Sequence, residues 1–102
     1  MKGLNQVILE GRIEDAEVIS HGLRIWVSYV HEYRNQSGEV MERENSVFEV
    51  ESYGKTAEAI SLGMRKSPAI RIVGYLKQRV YRENGRIFTN SVVIAEHAEF
   101  KA

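Results

Sequence analysis

Apolar and polar residues alternate along most of this chain with a period of two, the spacing of half-buried β-strands. From Asn5 to Ile13, Val7, Leu9 and Ile13 fall on one side, and Gly11 permits a bend. From Leu23 to about Arg34, Leu23, Ile25, Val27 and Tyr29 share one face, and Arg24, Trp26, Ser28 and Val30 the other. The polar stretch RNQSGEVMEREN then predicts a long hairpin tip with its turn at Ser37-Gly38. A third strand, Ser46 to Tyr53, places Phe48 and Val50 together and Val47, Glu49, Glu51 and Tyr53 opposite.

The period changes in GKTAEAISLGMRK, where Ala57, Ile60 and Met64 form a short apolar stripe at helical spacing. Thr56 stands near the expected helix start, and Ser67-Pro68 ends the helix because proline cannot continue its hydrogen-bonded turn. A fourth strand from Ala69 to Arg82 and a fifth from Arg86 to about Ala95 flank Asn84-Gly85, a strong two-residue hairpin signal. Phe100 is expected to pin the C-terminus to the core. Three strands, one helix and a hairpin make a mainly β domain spanning residues 1–102. The layout is that of an OB-fold, a five-stranded Greek-key barrel with one short helix between strands 3 and 4. A split sandwich with one covering helix satisfies the same pattern.

Strand four divides sharply by parity. Ile70, Ile72, Gly74, Leu76 and Val80 form a core-like set with Gln78, while Arg71, Val73, Tyr75, Lys77, Arg79 and Tyr81 form a ladder of cations and aromatics. Such a face suits single-stranded nucleic acid. Rings stack on any base without reading sequence, and cations neutralise phosphates. Arg86 and Phe88 share parity on strand five and extend the surface; Trp26, with Arg24, lies off the core side of strand two. The plainer reading is a solvated sheet, because cross-strand aromatic pairs stabilise sheets unaided. For Trp26 a subunit interface has equal claim.

Composition narrows the class. At 102 residues, with 43% hydrophobic and 27% charged, the chain suits one small globular domain. No apolar run approaches the ~20 residues of a membrane helix, and no signal peptide is visible. The lack of cysteine is compatible with a cytoplasmic location. Net charge is zero, but unevenly spread. Arg65, Lys66, Arg71, Lys77, Arg79, Arg82 and Arg86 face only Glu83 between residues 65 and 86, whereas residues 1–64 carry eleven acids against six bases. That asymmetry predicts a basic patch on a neutral protein.

Together these residues resemble the bacterial single-stranded DNA-binding protein family. NQVILEGRIEDAE is similar to its first strand and turn through Asn5, Val7, Leu9, Gly11, Arg12, Asp15 and Glu17, with Ala16 replacing a proline. VFEVESYGKTAEAI resembles its third strand and helix start through Tyr53, Gly54, Lys55, Ala57 and Glu58. IRIVGYLKQRVYRENG resembles its fourth strand through Gly74, Leu76, Arg79 and Tyr81, with Lys77 as an additional cation. The resemblance covers nearly the whole chain. It implies sequence-independent binding of single-stranded DNA in replication, recombination or repair, and assembly into a homo-oligomer, a tetramer or dimer. It also implies contacts at Arg12, Tyr53, Lys77, Arg79 and Tyr81.

The candidate nucleic-acid-binding set is therefore Arg12, Trp26, Tyr53, Lys55, Arg71, Tyr75, Lys77, Arg79, Tyr81, Arg86 and Phe88. The family usually has tryptophan where Val47 stands, and Glu49 and Glu51 on the same face would repel phosphate. The sequence ends at Glu99-Phe100-Lys101-Ala102 without the family's acidic tail, as expected of a fragment or a short relative. A primosomal-replication-protein-B-like restart factor, contacting replication or restart proteins, is one alternative; a protein-interaction OB module with weak DNA binding is another. Catalysis is not expected. There is no cysteine, His21, His31 and His97 lack metal-ligand spacing, and no cofactor or metal is implied. Gly54-Lys55-Thr56 lacks the rest of a phosphate loop, because Glu49 stands where its first glycine must be. Glu14, Asp15 and Glu17 suggest at most a weak cation contact in a solvated turn.

Overall fold

Alternating aliphatic residues draw the chain into five long strands in the computed structural model, which describes residues 3–101. The elements are β1 (Val7–Ile19), β2 (Gly22–Arg34), β3 (Val40–Tyr53), α1 (Gly54–Gly63), β4 (Ala69–Glu83) and β5 (Arg86–Phe100). They close into a barrel in the order β1-β2-β3-β5-β4, with β4 returning to β1. Among the described residues only β3 and β5 pair in parallel, through Val50–Val93 and Glu51–Ile94. This is the OB-fold architecture the pattern predicts, and closure sets the split sandwich aside.

Closure depends on β1 serving two partners. Residues 7–12 pair with β4 and residues 12–19 with β2, with a bulge between Ile13 and Asp15 that bends the strand. Gly11 sits at the bend because a Cβ there would collide with the Ser28 carbonyl. Glu14, the extra residue of the bulge, accepts a 2.6 Å hydrogen bond from the buried Ser28 hydroxyl. Asp15 accepts from the Ala16 amide and Glu17 pairs with Arg24, so each carboxylate of this stretch has a partner within the fold. Among the described residues no group of three metal-ligating side chains comes together.

Ile25, Val27, Val50, Ile70 and Ile72 fill the barrel, and α1 closes one end by inserting Ala57 and Ile60, the latter fully buried. Burying one such isoleucine contributes roughly 1.5–3 kcal/mol. Tyr53 occupies the helix N-cap without a side-chain cap bond; Thr56 instead donates to the Glu96 carbonyl at 3.2 Å. Met64 and Phe100 pack partly buried against the core, Phe100 as expected.

Several boundaries differ from the sequence expectation. β1 runs six residues past Ile13, because pairing with β2 holds a segment whose own pattern is polar. The hairpin tip shrinks to residues 35–39, where the Asn35 carboxamide accepts from the Ser37 and Glu39 amides, and β3 begins at Val40. β5 continues to Phe100 through a bulge near Val73 and Gly74. Asn84 and Gly85 do take positive φ, 50° and 76°.

Parity also fails as a guide to burial beyond the barrel. Leu76, Val80 and Phe48 share faces with core residues yet are 50%, 65% and 40% exposed. The cause is geometric: β2–β3 from about residue 29 to 47, and β4–β5 from about 75 to 91, outrun the core and project as two arms.

Candidate nucleic-acid interface

Cross-strand neighbours share a face, so the registers assign the outer surface residue by residue. On the β4–β5 arm, Tyr75, Lys77, Arg79 and Tyr81 stand opposite Ile94, Val92, Asn90 and Phe88, with Arg86 one pair further out. Tyr81 and Phe88 stack, with centroids 5.9 Å apart and planes within 18°, and both rings are about half exposed. Lys77 and Arg86 make no ion pair among the described residues. Six of the candidate residues thus occupy one face of one arm.

Trp26 and Tyr53 lie on β2 and β3 of the same closed sheet, on the face of Glu49 and Glu51. The two glutamates are paired rather than free. Glu51 is buried and meets Arg24 Nη2 at 3.0 Å, Arg79 Nη2, and the Tyr53 hydroxyl at 3.1 Å. Arg24 Nε lies 2.7 Å from Glu49 Oε1, a charge contact although the N–H is not aimed along it. Arg79 Nη1 is 3.7 Å from the same oxygen, and Glu17 joins Arg24 at 3.4 Å. The carboxylates that would repel phosphate are therefore neutralised by two arginines, one of which is the candidate Arg79.

Three candidates fall elsewhere. Arg71 faces outward on the barrel wall 3.6 Å from Glu10, which also accepts a 2.7 Å bond from Lys101. That bond is the main reason the Glu10 carboxyl is held below the usual carboxylate range. Arg12 is exposed at the β1 bend opposite Ser28 and Ala69. Lys55 lies on the first turn of α1 beside Glu96 and His97, at the helix end of the barrel. The arm face does not include them.

A second aromatic row was not singled out from the sequence. Tyr29, His31 and Tyr33 alternate along the β2–β3 arm, with centroids 6.3 Å and 4.5 Å apart in succession. Tyr29 shares the sequence-assigned face of Leu23, Ile25 and Val27, and His31 and Tyr33 continue its parity. Glu44 and Glu42 stand opposite His31 and Tyr33, and the Glu44 charge raises the Tyr33 phenol above its usual pKa. Between the arms, Val7, Leu9, Tyr29, Phe48, Leu76 and Val93 line an apolar groove of about 570 Å³. Asn5 borders it, its carboxamide exchanging bonds of 2.8 and 2.9 Å with the backbone of Leu76 as an added strand residue would.

No family model matches the chain. It is 31% identical to the single-stranded DNA-binding protein of Aquifex aeolicus (strain VF5), over 92% of this chain and 67% of that protein. Among solved structures, a small single-stranded DNA-binding protein from Mycoplasma pneumoniae superposes with a TM-score of 0.73 at 19% identity, covering 95% of this chain and 93% of that one. The Plasmodium falciparum protein in complex with single-stranded DNA gives 0.73 at 16% identity, covering 100% and 98%. At those identities the two structures speak for the fold. The Aquifex relative, matched across two thirds of its own length, places this chain in the single-stranded DNA-binding protein family.

Proposed function

We propose that this chain binds single-stranded DNA without reading its sequence, along the outer face of the β4–β5 arm. The observation that carries this is the exposed Tyr81–Phe88 stack flanked by Lys77 and Arg86. Aromatic planes accept any base, and flexible cations follow the backbone. Trp26, Tyr53 and Tyr75 continue the surface toward the barrel, while Arg12, Lys55 and Arg71 belong to a longer path around it. The Aquifex relative's name and the DNA-bound Plasmodium protein support the same ligand. Replication, recombination or repair in the bacterial cytoplasm is where such binding acts.

The groove between the arms supports a homo-oligomer. It is apolar, and residues 7–11 of β1 pair with β4 on one side only, leaving an open strand edge beside it.

A titration against a ~35-nucleotide oligo(dT), with light scattering and a salt series, tests both readings. The length exceeds the 4–16 nucleotides one OB-fold covers. Expected are a defined multiple of the subunit mass and an affinity that falls as salt rises. Binding no tighter than about millimolar at low salt, well short of specific affinities, or binding indifferent to salt, would remove the DNA-binding reading.

A further inference from the structure

Arg79 sits on the DNA face with its charge already spent. Its two terminal nitrogens point to Glu49 and Glu51, which stand two strands away on β3. To reach them the side chain must cross β5. Val92 and Ile94 lie there on the outer face, outside the core cluster, yet are only 1% and 8% exposed. The Arg79 side chain passes over this strand to its carboxylate partners and still keeps 37% of its own surface open. Contacts of a guanidinium to carboxylates run in its plane, which leaves the broad face of the group for another partner.

We propose that Arg79 is a stacking plane for a DNA base, not a phosphate clamp, and that Glu49 and Glu51 are the residues that hold it flat. The inference rests on the DNA-binding reading and assigns this residue a different role within it. Two arginines meet two carboxylates, Glu49 half-buried and Glu51 buried, so a phosphate approaching Arg79 finds little net charge. A base needs only the plane. Together with the Tyr81–Phe88 stack on the same arm, the plane extends the platform toward Trp26.

The test compares the full chain with R79K, R79Q and E49Q by fluorescence anisotropy of labelled oligo(dT) across a salt series. R79K keeps the charge and loses the plane. Affinity should fall about 5- to 100-fold at every salt concentration with the slope of log K against log salt unchanged. R79Q should likewise leave the slope intact. E49Q frees one edge of the guanidinium for phosphate and should steepen the slope by up to about 0.7. A thermal melt of each variant confirms the fold. R79K binding within about twofold of the unmodified chain, or R79Q flattening the slope by about 0.7, would overturn the stacking role. Absence of binding by the unmodified chain would instead overturn the DNA-binding reading beneath it.

Discussion

Replacing Tyr81 by alanine separates a binding surface from an ordinary sheet surface, because the two roles predict different magnitudes. Tyr81 contacts Phe88 across the strand pair at 5.9 Å, and both rings keep about half their surface in solvent. An aromatic pair of this kind contributes about 0.5–1.5 kcal/mol, and partial exposure puts this one at the lower end. A loss near 0.5 kcal/mol lowers the melting temperature by roughly 2–4 °C. Against a typical stability of about 5–15 kcal/mol, it leaves well over 99% of the molecules folded at 25 °C. If the ring stacks on a base, the variant should also lose about 1–3 kcal/mol of binding, roughly 5- to 150-fold in Kd. Anisotropy with labelled oligo(dT) reads the second quantity, and a circular-dichroism melt the first. The salt slope should stay unchanged, because no charge is removed. Phe88→Ala should behave alike, and the double variant should lose less than the sum, since the two rings form one platform. Binding within twofold of the unmodified chain, despite the melting shift, would refute the assignment.

Lys77→Ala should lower the salt slope by about 0.7, the value for one phosphate on a single strand, with little change in the melt. Gly74→Ala should cost more than the roughly 1–3 kcal/mol of ordinary overpacking. The new Cβ would strike the Ile94 carbonyl and come within 2.8 Å of its carbon, backbone atoms that cannot swing aside; urea unfolding measures the loss. Lys101→Ala removes the hydrogen bond chiefly responsible for the depressed Glu10 pKa. Because that pKa lies below its unfolded value, its stabilisation is present at neutral pH and lost as pH falls through the folded value. In the variant the Glu10 carboxyl should titrate nearer the ordinary range by NMR, and the acid-side stability loss should diminish.

The alternation of apolar residues, the single helical stripe and Asn84-Gly85 determined the number, type and order of elements from sequence alone. Each is a local preference of backbone and side chain. Local pattern also placed Tyr75, Lys77, Arg79 and Tyr81 on one face, because strand parity is set by the backbone itself. Burial was another matter. Leu76, Val80, Phe48 and the Tyr29–His31–Tyr33 row carry core parity, but they stand on arms that outrun the barrel. Parity tells which side a residue faces; only the packed fold tells whether anything lies on that side. Charge shows the same division. Sequence put Glu49 and Glu51 on the binding face as apparent obstacles to DNA. Arg24 meets them across the neighbouring β2–β3 pair, but Arg79 reaches them from β4 across β5, and that approach through the closed sheet is a property no local stretch contains.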